Sequence, residues 1–328
     1  MRAMILASVL LACSRAPQGP PSVVGASQRV LPTLSARPRS TASSAFWRVW
    51  GDGRAELARY DVLTPRYGEL HPAELVFITV TEPHDRRRWV KDDDAPAAER
   101  VNVLKLNISL KFETGLYPYS VLTSVFAPVD GYFAERFAPA KITLTAQEWC
   151  GQVFEALWPG EPASLREVRS YFADEGDDDA TLATAPGTLY EDALWVQLRE
   201  LDGPFNGGAP WRGEMVPSLW RMRRAHGPVR PLQAEISRHQ ETEGAETRTV
   251  FELSLGGFRR RYEVDAAHRL VAWRASDGEV ARLAESARLP YWALNRERDR
   301  VPQREALGLD PRPRAHTVAP QAGVAVGR

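Results

Sequence analysis

Apolar and polar residues alternate along much of this chain, and this period of two predicts β-strands. From Leu104 to Phe112, leucine, isoleucine and phenylalanine alternate with Lys105, Asn107 and other polar residues. Such a strand has one apolar face and one wet face. The stretch from Leu75 to Thr81 is rich in β-branched residues and lies between prolines, which is typical of a more fully buried strand. Further strands are predicted at Ser120 to Phe126, Ile142 to Ala146 and Leu165 to Phe172.

The last third of the chain predicts a meander of strands joined by tight turns. Thr249 to Leu255 and Phe258 to Val264 flank Gly256-Gly257, and both glycines tolerate the positive φ of a hairpin turn. Leu270 to Arg274 is the next predicted strand, and Asp277-Gly278 marks the turn after it.

Helical periodicity is found mainly in Tyr190 to Leu201, where Leu194, Leu198 and Leu201 fall on one side. Strands at ~10-residue spacing with short turns indicate antiparallel pairing and not the βαβ units of a parallel sheet. The predicted fold is therefore mainly β, in the α+β class. We expect a large, curved antiparallel sheet or open barrel with a few helices.

The first 13 residues have the order of parts of a secretory signal. Arg2 precedes an apolar run from Ala3 to Ala12, and a polar, proline-bearing stretch follows. The run is far shorter than the ~20 residues that a helix needs to span a bilayer. Its end, Leu10-Leu11-Ala12-Cys13, matches a lipobox, in which the cysteine is acylated, for example with palmitate. We expect Cys13 to carry a lipid anchor; an ordinary signal peptide with a chance cysteine is the alternative.

Four regions follow from these patterns. Residues 1–13 are the predicted lipoprotein signal peptide, and 14–44, rich in Pro, Ser, Ala and Arg, are a flexible tether. Residues 45–295 are a β-rich globular domain with one or two sub-sheets, and 296–328 are a loose tail. Ser14 follows the cysteine, where an aspartate would suggest retention in the inner membrane. By analogy with such lipoproteins, we expect the bacterial outer membrane, facing the periplasm.

Composition excludes some function classes. The 42 basic and 42 acidic residues cancel, so no nucleic acid is an expected partner. No complete nucleotide, esterase or zinc motif is present, and neither a cofactor nor a metal is predicted. The acidic run Asp174 to Asp179 fails as an EF-hand, because Asp179 and Ala185 stand where glycine and glutamate are needed. A solvated acidic turn is preferred, and an irregular calcium loop is the alternative.

Eight segments carry a resemblance: Phe46-Trp47, Asp52 to Leu57, Tyr60-Asp61, Arg66 to Glu69, Val80 to Glu82, Val101 to Asn107, Thr114 to Ser120 and Gln147 to Gly151. They resemble a family of uncharacterised bacterial envelope lipoproteins, some of which are labelled septum-formation inhibitors of the Maf type. Maf-type nucleotide pyrophosphatases begin with a strand that leads into a Ser-x-Ser-Pro-Arg-Arg loop. The nearest stretch here, Ser35 to Ser40, lies in the predicted tether. The resemblance therefore implies an envelope location and no established activity.

Seven polar or aromatic residues on or beside predicted strands are candidates for ligand binding. Lys105 and Asn107 lie on the wet face of their strand by alternation. If that face is concave, the group would line a pocket with a few polar contacts on an aromatic wall. A solvated outer face is preferred, since alternating sheets usually leave one face to water. The candidates are Glu82, Lys105, Asn107, Tyr117, Tyr119, Glu148 and Trp149.

The sequence is compatible with two functions. The first is a non-catalytic, membrane-anchored envelope protein that binds an apolar ligand or an envelope partner. The alternative is a thiol-dependent hydrolase in which Cys150 acts with His71 or His84, which requires thiolate and base within hydrogen-bond reach. Against it, Glu148 is expected to raise the pKa of the thiol. The neighbouring Trp149 further predicts that Cys150 is a buried packing residue.

Overall fold

The computed structural model describes residues 31, 32, 34 and 37–309. The predicted signal peptide with Cys13, residues 14–30 of the predicted tether and residues 310–328 of the predicted tail lie outside the described residues.

Strands dominate the described part of the chain. The helices are α1 (Ser44–Trp50), α2 (Leu194–Gln197), α3 (Leu219–Arg224) and α4 (Glu297–Ala306), with 3₁₀ helices at Glu191–Ala193, Phe205–Gly208 and Tyr291–Ala293. The strands are β1 (Ala55–Arg66), β2 (Glu69–Asp85), β3 (Val90–Lys91), β4 (Arg100–Thr114), β5 (Tyr117–Pro128), β6 (Lys141–Glu148), β7 (Gly151–Trp158), β8 (Ala163–Ser170), β9 (Asp177–Ala183), β10 (Leu189–Tyr190), β11 (Trp211–Val216), β12 (Leu232–Glu243), β13 (Glu246–Leu255), β14 (Phe258–Val264), β15 (Leu270–Ala275) and β16 (Val280–Leu289).

These strands form one sheet. Its order is β10-β11-β12-β13-β14-β15-β16-β1-β2-β4-β5-β6-β7-β8-β9, and β3 pairs with β2. β10 and β11 are parallel, whereas the other neighbours are antiparallel, and the sheet is not closed. The predicted mainly-β fold, a large and mostly antiparallel open sheet with a few helices, is thus confirmed.

The alternation that predicted β4 sets its two faces. Leu104, Leu106 and Phe112 are buried in the main hydrophobic core, whereas Lys105 on the other face is half-buried and Lys111 is exposed. Because side chains of neighbouring strands keep the same alternation, this pattern gives the whole sheet an inner face and an outer face.

The inner face packs around α2. The Trp195 ring contacts Phe77 of β2, Tyr262 of β14 and Trp273 of β15, with ring centroids 5.6, 5.2 and 4.9 Å apart. Strands distant in the sheet order therefore meet on one helix, so the sheet curves around it. Side chains of α2 fill this part of the inner face.

The two edges of the sheet approach each other without pairing. The hydroxyl oxygens of Tyr190 in β10 and Ser164 in β8 are 2.7 Å apart, and Ser164 also contacts Thr184 at 3.3 Å. The predicted helix from Tyr190 to Leu201 is correspondingly confirmed only over Leu194–Gln197, because Tyr190 itself pairs with β11.

Two terminal segments cover apolar parts of the outer face. Leu34, within the predicted tether, is buried with Val101, and the Trp89 indole donates to the carbonyl oxygen of Pro32 at 3.2 Å. At the other end, helix α4 lies within the predicted loose tail, and Leu307 is buried against the start of β1. The boundaries differ from the predictions because outer-face apolar residues of the sheet need cover from elsewhere in the chain.

The acidic run Asp174 to Asp179 also differs from a simple turn. Its second half belongs to β9, in which Asp177–Ala183 pairs with β8. A side-chain oxygen of Asp179 accepts a hydrogen bond from Arg169 at 2.9 Å.

Within the described residues, no helix is long and apolar enough to cross a membrane.

Candidate functional site

The fold separates the seven candidate residues into two groups. Lys105 and Asn107 lie in the first half of β4 and Glu82 near the end of β2, which pairs with it there. Tyr117 and Tyr119 lie at the start of β5, opposite the last residues of β4. Along β4, the first group is separated from the second by about 17 Å (Asn107 to the residue paired with Tyr119) to about 36 Å (the residue paired with Glu82 to the one paired with Tyr117).

The first group is an ion-pair cluster on the outer face. Glu82 Oε2 accepts a hydrogen bond from Lys105 Nζ at 2.8 Å, and Glu82 Oε1 lies 3.0 Å from His84 Nε2. Burial opposes ionisation of Glu82, but the hydrogen bonds from His84 and Lys105 outweigh it and lower the pKa of the carboxyl. Asn107 lies on the same face, two residues along the strand, and is half-buried.

A second lysine lies beside this cluster. Lys141 Nζ is 4.4 Å from the centroid of the Phe126 ring and donates to the carbonyl oxygen of Trp89. Burial lowers the pKa of Lys141, and the charge of Glu82 offsets this in part. The cluster is therefore half-buried and internally paired, neither an open pocket nor a fully solvated face.

The second group belongs to a cluster of three tyrosines and one arginine. Tyr67 Oη lies 2.6 Å from Tyr119 Oη and 3.3 Å from Tyr117 Oη. Arg66 Nη2 donates to Tyr67 and Tyr119 at 3.2 and 3.3 Å, and its guanidinium carbon is 4.2 Å from the Tyr67 ring centroid. Partial burial opposes ionisation of Tyr67, but hydrogen bonds from Tyr117, Tyr119 and Arg66 lower its pKa overall.

The core holds this cluster in place. Tyr119 is buried and stacks on Phe112, with centroids 4.8 Å apart and ring planes at 2°. Trp220 of α3 packs against Tyr119 at 6.5 Å. The tyrosine cluster therefore has a rigid base, and Tyr67 and Tyr117 extend from that base toward solvent.

Large apolar side chains stand exposed on the hairpin tips at this end of the sheet. The tips join β1 to β2, β4 to β5, β6 to β7 and β8 to β9, so neighbouring tips are about 10 Å apart, two strand spacings. Leu116 is 81% exposed, Tyr171 71%, Trp149 67% and Tyr67 61%. We call Tyr67, Leu116, Tyr117, Trp149 and Tyr171 the aromatic ridge.

Contacts make the ridge continuous. Tyr117 lies 6.4 Å from Trp149, centroid to centroid. Tyr171 packs on Gly151, where an added Cβ would fall 2.5 Å from the Tyr171 ring. The carboxylates on the tips that carry the ridge are Glu69, Glu113 and Asp174, which are exposed, and Glu148 and Glu175, which are half-buried, while the Arg66 guanidinium lies against the Tyr67 ring. The ridge therefore combines apolar tips with flanking charge that is mostly negative.

Cys150 is exposed, so the prediction that it is a packing residue is wrong. Glu148 and Gly151 are paired across the β6–β7 hairpin, which leaves Trp149 and Cys150 as the two turn residues outside the sheet. The Cys150 amide donates to Glu148 at 2.7 Å. A side-chain hydrogen bond between the thiol and Glu148, together with the charge of Glu148, raises the pKa of the thiol, in the direction expected from the sequence.

Neither candidate histidine is placed to act with Cys150. His84 pairs with Val101, at the opposite end of β4, so it lies roughly 40 Å along the strands from the hairpin tips. His71 lies near the tips, with Nε2 3.1 Å from the carbonyl oxygen of Arg66, but β4 and β5 separate β2 from β6, about 14 Å. The structure therefore places neither histidine within hydrogen-bond reach of the Cys150 thiol.

The sequence analysis missed Arg66, Tyr67, Leu116 and Tyr171 as site residues. A usable signal was present, because tight turns favour Gly, Asn, Asp and Ser, whereas large apolar residues occupy these tips. Among the described residues, no group of three or more His, Cys, Asp or Glu side chains could hold a metal ion.

Comparisons with protein-family models, with curated proteins and with solved structures give no match for this chain. The resemblance to envelope lipoproteins therefore stays a prediction.

Proposed function

We propose that this chain is a lipid-anchored lipoprotein of the bacterial outer membrane that faces the periplasm. Its β domain is non-catalytic and contacts a membrane surface through the aromatic ridge. The supporting observation is the continuous row of exposed Tyr, Leu and Trp side chains on adjacent hairpin tips. The membrane is the apolar ligand in this proposal.

The chemistry of the ridge suits the interface of a bilayer. Tyrosine and tryptophan have an apolar body and a polar handle, and they concentrate at the membrane–water boundary. A lipid anchor on a flexible tether holds the chain at the membrane but leaves the domain free to move, and each further apolar group that enters the bilayer strengthens the contact. An anchor on Cys13 would supply the first contact and the ridge the second, at the raised effective concentration that a tether provides.

An outer-surface site is favoured over a ligand inside the curved sheet. The aromatic side chains of Trp195, Tyr262 and Trp273 fill the inner face where the sheet curves around α2. By contrast, Leu116 and Trp149 are already exposed to solvent. Removing them from water at a bilayer requires no rearrangement of the core.

The ridge can be tested with Cys150 as a reporter. In a Cys13→Ser chain, Cys150 is the only cysteine, and a polarity-sensitive dye on it lies beside Trp149. With zwitterionic phosphatidylcholine vesicles, we expect the dye emission to shift to the blue. Because carboxylates outweigh Arg66 among the charged side chains on these tips, anionic lipid should not strengthen binding, and added salt should not weaken it.

Variants locate the contact. Leu116→Ser should weaken vesicle binding by about tenfold, since burying a leucine contributes roughly 1.5–3 kcal/mol. Trp292→Ser is the matched control, because Trp292 is 47% exposed but follows β16 at the other end of the sheet. Co-sedimentation of unlabelled protein checks that the dye does not drive binding. An absence of vesicle binding, or an equal loss of affinity in Trp292→Ser, would refute the ridge as the membrane contact.

The anchor is tested separately. We expect Cys13→Ser to abolish fatty-acid labelling and to move most of the chain out of the membrane fraction, or to block its processing, because the ridge alone binds more weakly than anchor and ridge together. The measurement is metabolic labelling with a radioactive fatty acid, followed by fractionation. Wild-type chain that stays unlabelled and soluble would contradict the anchor and leave the vesicle result of the ridge unaffected.

A further inference from the structure

A cleft of about 140 Å³ lies at the end of the sheet opposite the ridge, beside the β7–β8 connection. Its walls come from the segment between β5 and β6, from that connection, from the residues between β9 and β10, and from Asn206 and Trp211. A cavity of ~150 Å³ holds a six-membered carbon ring. The cleft therefore has room for a small organic molecule.

Two carboxylates line this cleft, those of Glu135 and Glu161. Glu135 accepts hydrogen bonds from the backbone amides of Arg136 at 3.2 Å and Asn206 at 3.1 Å, and Glu161 accepts one from a backbone amide at 3.1 Å. The Arg136 guanidinium is bound to Asp202 at 2.7 Å. Among the described residues, no lysine or arginine lines the cleft, so its lining is negative.

Three aromatic residues stand among the small and apolar residues that make up most of the remaining lining. Phe133, Tyr190 and Trp211 all line the cleft. The Tyr190 hydroxyl lies 2.7 Å from Ser164, which fixes the ring in place. Burial raises the pKa of Glu135, and its hydrogen bonds offset this only in part. A cation placed beside Glu135 would stabilise the charged carboxylate.

We propose that this cleft binds a small free organic ammonium ion. The carboxylates of Glu135 and Glu161 attract its charge, and aromatic faces attract an ammonium group as well as its alkyl substituents. A lipid headgroup is a poorer fit, because the same two carboxylates repel its phosphate. This site is independent of the ridge and of the proposed membrane contact.

Choline is the probe for the test, titrated calorimetrically into the detergent-solubilised full chain at low salt. We expect saturable binding at one site. Glu135→Gln should weaken it by about tenfold, the effect of removing one charge from a partly buried site, and Glu161→Gln should weaken it by less, because Glu161 is exposed. Glutamine keeps the one acceptor oxygen that Glu161 uses, whereas Glu135 accepts with both oxygens and its variant loses one of the two backbone hydrogen bonds. Thermal denaturation of Glu135→Gln therefore accompanies the titration, and the Glu161→Gln result does not depend on it.

Three comparisons make the result specific. The neutral alcohol in which carbon replaces the choline nitrogen has the same shape and should bind at least tenfold more weakly, since it lacks the charge. Phosphocholine should also bind more weakly than choline. Glu243→Gln, at an exposed position of the β12–β13 hairpin, should leave choline binding unchanged.

The proposal is overturned by an absence of saturable choline binding, by equal affinity for the neutral alcohol, or by an equal loss in Glu243→Gln. Phosphocholine that binds as tightly as choline would overturn the assignment to a free ammonium ion.

Discussion

Arg260→Ala is expected to lower the free energy of unfolding by about 3–5 kcal/mol, because it leaves buried carboxylates without their partner. Arg260 is buried, and its guanidinium binds Glu191 at 3.0 Å and Glu279 at 3.3 Å. The same guanidinium lies 4.9 Å from the Trp195 ring centroid. Burial opposes ionisation of Glu191, but the charges of Arg260 and Arg221 outweigh it and lower the pKa of the carboxyl.

The measurement is chemical denaturation at neutral pH, with Arg259→Ala as control. Arg259 is the preceding residue on β14 and is exposed, so its removal should change stability by less than about 0.5 kcal/mol. Adding Glu191→Gln to Arg260→Ala should recover part of the loss, since it removes the unpaired buried charge. A loss below 1 kcal/mol in Arg260→Ala, on the order of a surface substitution, would mean that the ion pairs of Arg260 with Glu191 and Glu279 contribute little to stability.

Leu106→Asp is expected to destabilise the domain by at least about 4 kcal/mol, through lost apolar burial together with an unpaired buried charge. Leu106 is almost fully buried on the inner face of β4, between Thr79 of β2 and Val125 of β5. Strands on both sides fix this register, so the new carboxylate cannot turn to the outer face without a slip of the whole strand.

Lys111→Asp is the control for Leu106→Asp. Lys111 lies on the same strand, on the outer face, and is exposed. The same carboxylate there stays in water, and the expected change is within about 0.5 kcal/mol. Equal losses in the two variants, measured by denaturation, would contradict the assignment of the two faces.

The candidate site was only partly predictable. Tyr117, Tyr119, Glu148 and Trp149 do lie at one end of the sheet, but Glu82, Lys105 and Asn107 lie in a separate group about 17–36 Å away. Candidate residues on neighbouring strands can still lie at different ends of the sheet. Which of these side chains come close together depends on strand pairing and register, which the sequence did not specify.

The sequence by itself determined the strands and several turns. Alternation placed Leu104 and Leu106 on one face and Lys105 on the other, because the side-chain period of a strand is two. Gly256 and Gly257 both adopt positive φ in the predicted hairpin turn. These features are local, since they depend on backbone geometry and on residues only a few positions apart.

Only the tertiary structure decided which strands are neighbours, what covers the outer face and which side chains form the sites. The ridge brings together Tyr67, Leu116, Trp149 and Tyr171, each from a different hairpin, and Leu307 packs on the start of β1. Arg260 finds Glu191 across 69 positions of the chain. Such contacts depend on the order and curvature of the strands, because a single strand pattern is compatible with many pairing partners.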